Sequence, residues 1–491
     1  EIGVRLVGSE MCIRDRHMRI CIVAEGCYPY VVGGVSSWIH SMIKIFPEYQ
    51  FVVLAIVANR SLRGKFVYDL PENVVEVHEL YLEDADWRPK ELKRAARLKL
   101  NEREYAALRS LLMNQNVDWD TLFSFFGEKE FSLNELLMGE DFFRAVQECY
   151  TVRYAGAVFS DFLWTMRSMY LPLFLTLGMR LPRADVYHCV ATGYAGVLGS
   201  MAKRRFGCRL LISEHGIYTR EREEELIRAD WVSGIYKNIW IEQFKKMSKL
   251  AYDRADLVTS LYAHARELQI ELGCPADKTS ITPNGIDPAR FDGLKRPEAM
   301  EPDMVHIGAV LRVTPIKDVK TMIRAFAYAK RDVPNLKLWI MGPTEEDEEY
   351  ARECFDLVEL MELPDVVFTG RVNVTEYLGG LDFTILTSIS EGQPLTVLEG
   401  YAAKLPAIAT DVGNCRGLLY GEDDDFGEAG ILTHIMNVKE IADAMVNLAR
   451  HPVRRKQMGE NGYRRVMAKY KISDMQQTYR KIYETFENID W

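Results

Sequence analysis

Apolar and polar positions along the 491-residue chain fall into two alternating patterns. Short continuous apolar runs end in turn signals, and between them lie longer stretches whose apolar positions recur every three or four residues. Continuous runs of this length read as strands buried on both faces of a parallel sheet, and the 3–4 spacing reads as amphipathic helix. RICIVAEG (19–26) opens the first series. The loop CYPYVVGGVSS, a helical VSSWIHSMIKIF (35–46) and the strand QFVVLAIVA (50–58) follow. The rhythm resumes at ADVYHCV (184–190), CRLLISEHG (208–216) and DLVTSLY (256–262), with helices predicted near 194–205 and 236–254. KTSITPNGIDPARF (278–291) closes this half, and its Pro-Asn-Gly cluster predicts a turn and an interdomain hinge.

A second series begins at MVHIGAV (304–310) and continues through LKLWIMG, DVVFTG, DFTILTS and PAIAT. Helices are predicted near 318–331, 345–361, 373–380 and 394–404, and residues 438–488 are helical in pattern throughout. Two successive α/β series predict two doubly wound, Rossmann-like domains facing each other across a cleft. Residues 85–180 interrupt the first with charged, aromatic, helix-spaced sequence and no clean strand, so a helical insertion is expected there. The expected division is 18–295 for the first domain, 303–468 for the second, and a last helix, 469–491, returning to the first. YLPLFLTLGM (170–179) is too short to span a bilayer and carries a proline, which leaves it available as a surface patch.

Composition narrows the function. A formal charge of −10 argues against general nucleic-acid binding. Nine scattered cysteines without a CxxC pair suit free thiols in a reducing, cytoplasmic setting rather than disulfides or a zinc site. LVGSEMCIRDR (6–16) resembles the read-through translation of a sequencing-library adapter, so residues 1–17 are set aside and the natural chain is expected to start at Met18.

Ligands of parallel α/β sheets bind beyond the carboxyl ends of the strands. In SEGQPLTVLEG (390–400), Glu391 and Glu399 flank a helix start placed after the strand DFTILTS. Pro394 suits a first helical turn, and the free N–H groups of 392–396 make an anion site. Carboxylates accept hydrogen bonds from vicinal sugar hydroxyls, so two of them around a phosphate site match a nucleotide-sugar. A capping box of Ser390 and Gln393, with Glu399 solvated, is the competing reading. Arg312 and Lys317 share the loop after the strand MVHIGAV and can hold phosphate oxygens. Gly33 and Gly34 precede a helix in the first half and allow close approach to the backbone. His188 and His215 each close a strand. No HExxH, GxSxG or Walker sequence is present, so no metal is assigned, and EDDDFG (422–427) reads as a solvated loop.

These motifs, in this order, resemble the family 4 retaining glycosyltransferases: YPYVVGGVSSW, HG at 215–216, PNGID, GAVLRVTPIKDV, GP at 342–343, FTGRV, and the two glutamates with seven residues between them. Within that family the N-terminal loop, the insertion and SEHGIYTRERE look like the transferases of Pel exopolysaccharide synthesis. The resemblance implies the GT-B fold, a UDP-sugar donor, a growing polysaccharide acceptor, no cofactor, and retention of configuration. It implies that Arg312 and Lys317 hold the diphosphate, Glu399 the ribose and Glu391 the donor sugar. Gln393, Pro394, Leu395 and Thr396 would bind sugar and phosphate, with Gly342 beside them, and Arg371 and Val372 would line the uracil. Gly34, His188 and His215 would complete the site, His215 together with Glu391, Arg312 and Lys317 in the catalytic group. It also implies an inner-membrane synthase complex as partner in biofilm formation. One departure stands out: the family often has phenylalanine after the glycine that follows the first glutamate, and here that residue is Gln393. A UDP-sugar epimerase and a non-catalytic UDP-sugar-binding scaffold are the alternatives.

Overall fold

The structure, a computed structural model, describes residues 17–83, 98–232 and 234–488. The expected leader, 1–17, falls outside them apart from His17, as do residues 85–97 of the insertion. The chain divides into two compact units. The first comprises Glu1–Ser260, Arg266–Ser280 and Glu484–Trp491, and the second Leu261–Ala265 and Ile281–Tyr483.

The first unit is built on β1 (Arg19–Glu25), β2 (Gln50–Val57), β3 (Val74–Tyr81), β4 (Val186–Cys189), β5 (Arg209–Glu214), β6 (Leu257–Ser260) and β7 (Thr279–Ile281). They form one sheet in the order β3-β2-β1-β4-β5-β6-β7, and neighbours from β3 to β6 run parallel. β1 is apolar along its length because helices cover both faces: Ile20, Cys21, Ile22, Val23 and Ala24 are all fully buried. The 85–180 region is helical where described, with helices Glu102–Met113, Trp119–Glu128, Leu133–Leu137, Glu140–Cys149 and Phe159–Leu177. Capping boxes at Asn101/Glu104 and Ser132/Glu135 start two of them.

This insertion is not an appendage. Phe126, Phe142, Phe162 and Phe174 lie in the same continuous core as Val23, Val52 and Leu54 of the sheet. The expectation of a surface patch at 170–179 is thereby overturned: Tyr170, Leu173, Phe174 and Leu177 are buried in that core, and Pro172 sits inside the helix. Length ruled out a membrane span, and a helix with apolar residues on most of its faces belongs in the interior. Among the described residues no helix is long and apolar enough to cross a membrane.

The second unit holds β8 (Val305–Val310), β9 (Leu336–Met341), β10 (Val366–Gly370), β11 (Phe383–Leu386), β12 (Ala407–Thr410) and β13 (Gly430–Thr433), in the order β10-β9-β8-β11-β12-β13, all parallel. Two cores pack on its sheet, one around Ile307, Phe326 and Met445 and one around Leu398, Tyr401 and Leu418. The C-terminal region is three helices, Val438–Arg450, Pro452–Lys469 and Ile472–Asn488.

The Pro-Asn-Gly segment, expected as a hinge within a first domain reaching 295, groups with the second unit. Asn284 N–H donates to Gln393 Oε1 at 2.7 Å, and Ile286 forms a bridge with Lys471. The EDDDFG loop is likewise not all solvent. Asp424 is buried and accepts a forked pair of hydrogen bonds, 2.9 and 3.0 Å, from the fully buried Arg465. Burial pushes its carboxyl up, but the Arg465 fork and the Phe426 N–H outweigh this and bring it down to about 2.

Candidate functional site

In the second unit the strand order turns outward at β8 and β11, which are neighbours in the sheet although three crossovers separate them in sequence. The carboxyl ends of two such strands, where the strand order reverses, are where a doubly wound sheet accepts ligand. The loop after β8 carries Arg312 and, in a single 3-10 turn (Pro315–Lys317), Lys317. The loop after β11 carries Ser388, Glu391 and Gln393 and runs into the helix Leu395–Ala402.

Backbone bonds join the two loops. Ile389 N–H donates to Ile316 carbonyl at 2.9 Å, and Thr387 Oγ1 donates to the carbonyls of Lys317 and Asp318 at 3.0 and 3.1 Å. Thr410 at the end of β12 donates to Ser388 carbonyl at 2.6 Å, and Asn414 N–H to Gly392 carbonyl at 2.8 Å. On this frame Lys317 Nζ meets Glu391 Oε1 at 2.5 Å, and Ser388 Oγ donates to the same oxygen at 2.6 Å. Both members of the pair are largely buried, with side chains 17% and 12% exposed, so the attraction is little screened by solvent.

The competing capping box does not form. Pro394 occupies the N-cap position itself, one residue earlier than the first turn expected, and no side chain caps the helix. Gln393 spends its carbonyl oxygen on Asn284. The amide groups of Leu395 and Thr396 therefore start the helix without a side-chain acceptor. Glu399, on the second turn, is half-buried; burial raises its carboxyl above the usual range while the nearby Arg290 draws it back.

Arg312 does not join Lys317. Its guanidinium pairs at 2.5 Å with Glu346, on the loop after β9, and both side chains are exposed. Gly342 opens that loop at φ +151°, where a Cβ would run into the Leu311 carbonyl. Close packing of the two strand-end loops thus requires glycine there. Arg371, after β10, is exposed, and Val372 packs against the core around Tyr401.

In the first unit Gly33 and Gly34 begin the helix Gly34–Ile45, again without a side-chain cap. Neither has a positive φ and a Cβ on either would meet nothing within 4 Å, so the fold itself does not demand glycine. The helix start after β4 differs: Glu25 Oε2 accepts from Ala195 N–H at 3.0 Å and fills it from within. His188 is fully buried and hydrogen-bonds Ser213 Oγ at 2.8 Å. Burial, with a smaller contribution from His215, lowers its imidazole to about 3. Burial lowers His215 to about 4; its Nε2 is buried without a hydrogen-bond partner, and the Trp38 ring stands edge-on at 4.5 Å. Both imidazoles are therefore neutral near pH 7.

Sequence reasoning passed over Glu25, half-buried, and Glu214, buried, two carboxylates that close β1 and β5. Glu214 accepts from Tyr252 Oη, Gln269 Nε2 and Thr192 Oγ1 at 2.7, 2.9 and 3.0 Å, and Tyr218 Oη donates to Glu25 at 2.9 Å. The signal was available, since each is a charged residue ending an apolar strand, as the histidines are. Asn284 left no such signal, because its bond to Gln393 joins loops more than a hundred residues apart, and Ser388, three residues before Glu391, has the look of an ordinary loop serine. Among the described residues no cluster of three or more His, Cys, Asp or Glu could hold a metal, and none of the eight described cysteines is paired.

A family described as a domain of unknown function, DUF3492, matches residues 18–277. The chain belongs to this family. Residues 301–451 match the glycosyl transferases group 1. Similar proteins include the D-inositol 3-phosphate glycosyltransferase of Pseudarthrobacter chlorophenolicus, 26% identical over 42% of this chain and 50% of that protein. Another is the MMP alpha-(1->4)-mannosyltransferase of Mycolicibacterium hassiacum, 24% identical over 58% and 66%. The chain thus spans half to two thirds of the length of these relatives. Among solved structures, Anabaena Alr3699/HepE in complex with UDP and glucose matches with a TM-score of 0.59 at 15% identity, over 96% of this chain and 100% of that one. Sucrose-phosphate synthase of Thermosynechococcus elongatus matches at 0.60 and 14%, over 96% and 99%. Both units are Rossmann-like, and the fold is of the GT-B class.

Proposed function

We propose that this chain is a retaining glycosyltransferase that moves a hexosyl or N-acetylhexosaminyl group from a UDP-sugar onto a polysaccharide acceptor, without a metal. The observation that carries the reading is the Lys317–Glu391 pair, held by two stapled loops beside an uncapped helix start. Cation, carboxylate and free amides lie on neighbouring loops, as binding a pyrophosphate between two hydroxylated rings requires. The match of residues 301–451 to group 1 transferases and the UDP in the Anabaena neighbour support it.

In this reading Lys317 exchanges part of its contact with Glu391 for the diphosphate, and Arg312 leaves the exposed Glu346 for the same group. Glu391 is then free to accept from donor-sugar hydroxyls, and Glu399 from the ribose. As the anomeric C–O bond breaks, negative charge grows on the leaving phosphate. Lys317, Arg312 and the N–H groups of Leu395 and Thr396 stabilise that charge more than they stabilise the ground state. Arg371 and Val372 face the base. Gly33 and Gly34 leave their helix start open, and the neutral His215 can donate or accept at the sugar. The acceptor hydroxyl enters on the face the phosphate leaves and gives its proton to the departing phosphate oxygen as its own C–O bond forms, so configuration is retained.

The finer assignment is to a PelF-like transferase acting in the cytoplasm with an inner-membrane synthase complex, which rests on EGCYPYVVGGVSSWIH, SEHGIYTRERE and the insertion. A relative from Erwinia amylovora, 26% identical over 40% of this chain, is an amylovoran biosynthesis glycosyltransferase and fits a polysaccharide role.

Calorimetry with UDP is the test. Wild type binds, and Glu399→Ala binds at least about tenfold more weakly through loss of charge-assisted bonds to the ribose. Unchanged UDP affinity in a folded Glu399→Ala protein removes its ribose role, and no UDP binding by wild type removes the reading. Turnover of UDP-glucose, UDP-GlcNAc and UDP-GalNAc, followed by UDP release with and without a chelator, then identifies the donor. A chelator is expected to change nothing.

A further inference from the structure

We propose that the side chain of Gln393, and not only the backbone around it, reads the donor sugar: its Nε2 donates to an acceptor oxygen on the hexosyl ring. This deepens the proposed function and rests on it.

Gln393 is 5% exposed, unusual for a glutamine in a strand-end loop. The backbone N–H of Asn284 points at its amide, 2.7 Å from Oε1. An N–H can only donate, so this contact dictates which end of the amide is oxygen. Nε2 must occupy the other end, and there it is buried with no hydrogen-bond partner. A buried amide donor left unpaired is costly and rare, and where one persists an absent partner is a physical explanation. The position makes that partner a ligand. Gln393 lies two residues after Glu391, whose carboxylate is fixed on Lys317, and directly before the Pro394 cap of the uncapped helix start.

The clamp on Oε1 is itself rigid. Asn284 is buried, and the neighbouring Gly285 packs so tightly on Lys471 and Ile472 that no side chain fits. Ile286 bridges to Lys471 on that same segment. The amide is therefore pre-oriented, and a fixed donor selects ligands better than a mobile one. Its partner must offer an acceptor oxygen, either a ring hydroxyl or an acetamido carbonyl. A hydrogen-bonding site of this kind discriminates against analogues that lack the matching group, because its own donor is then left unpaired.

Two variants separate the possibilities. Gln393→Glu keeps an oxygen for Asn284 N–H and turns the donor into an acceptor. Gln393→Met keeps the length and removes both functions. Each is compared with the parent for kcat/KM on UDP-glucose, UDP-galactose, UDP-GlcNAc and UDP-GalNAc, and for UDP affinity by calorimetry. The parent is expected to prefer one donor by roughly tenfold or more, and both variants to lose most of that preference. UDP, which lacks the hexosyl ring, reports the nucleotide half of the site separately from the sugar preference. A preference between the acetamido and hydroxyl members of the panel assigns the oxygen to the carbonyl, and one between the glucose and galactose members assigns it to a ring hydroxyl. A parent that binds UDP but shows no preference, or variants that keep the parent's ratios, overturns the role of Gln393 and leaves the proposed function standing. A parent that does not bind UDP overturns both.

Discussion

At the scale of single residues, the candidate site depends on a few contacts that are hard to replace. Lys317 neutralises Glu391 at 2.5 Å in a largely buried setting. Lys317→Ala leaves that carboxylate with Ser388 alone, and removing one partner of a buried pair costs more than the pair itself contributes. Turnover of a UDP-sugar is expected to fall by about two orders of magnitude or more with circular dichroism unchanged, as charge stabilisation on the leaving phosphate is lost. A folded variant with near-parental turnover excludes Lys317 from the diphosphate site. Gly342 tests the frame rather than the chemistry. Its φ of +151° and the Leu311 carbonyl leave no room for a methyl group, so Gly342→Ala is expected to cost at least about 2 kcal/mol in chemical denaturation. A loss under about 0.5 kcal/mol means that the two loops can move apart freely.

At the scale of elements, most strands were legible in the sequence and the exceptions share a cause. β3, β7 and β13, which no continuous apolar run predicted, all lie at sheet edges. An edge strand has one strand neighbour and thinner cover. VVEVHELY of β3 accordingly keeps polar residues, and only Leu80 and Tyr81 of it are buried. The interior strands β1, β2, β4 and β5 needed apolar side chains on both faces, which makes them readable. Candidate residues at strand ends were readable as such too: Arg312, Lys317 and Glu391 in the second unit, and His188 and His215 in the first. Glu346, which pairs with Arg312, and Asn284, which donates to Gln393, come from loops far along the chain, and a local pattern carries no record of which loops cross. The same limit hid the Asp424–Arg465 pair inside an apparently solvated acidic run. Asp424→Asn is expected to destabilise the second unit by about 3–5 kcal/mol, because it leaves a fully buried guanidinium short of charge. A variant as stable as the parent places Arg465 in contact with water.

β4 and β5 also make the first unit sensitive to acid. His188 and His215 are held neutral down to about 3 and 4, against an ordinary value of 6.5. Above 6.5 neither form of the chain binds these protons. Below it the unfolded chain takes them up and the folded chain does not, so each histidine withdraws about 1.4 kcal/mol of stability per pH unit. The loss runs from 6.5 down to about 4 for His215 and about 3 for His188. His188→Asn, which can still hydrogen-bond Ser213, is expected to be less stable at pH 7.5 but to lose stability less steeply between pH 6.5 and 4.5. Parallel stability curves for parent and variant over that window show that His188 protonates in the folded protein as it does in the unfolded chain.

At the scale of the whole molecule, the division into units makes a prediction about where a nucleotide acts. Lys317, Glu391, Glu399, Arg312 and Gln393 all belong to the second unit, and each unit has its own core. Ligand that binds only the folded site raises the free energy of every opening that destroys it by RT ln(1 + [L]/Kd), about 2.7 kcal/mol at a hundredfold excess over Kd. Amide exchange through those openings slows by the corresponding factor of roughly 100. With UDP present, slowing is therefore expected in residues 310–318, 342–346 and 388–399, the strand-end loops that carry the cations, the close glycine turn and the two glutamates. It should be weaker in β1 and β4, which UDP alone does not need to touch. A full UDP-sugar adds the hexose, and any extra protection at Gly33–Gly34 or His215 then measures what the first unit contributes to holding it. Protection confined to the first unit, with residues 388–399 exchanging as in free protein, transfers the nucleotide site to the other sheet and leaves the Lys317–Glu391 pair a structural tie between two loops.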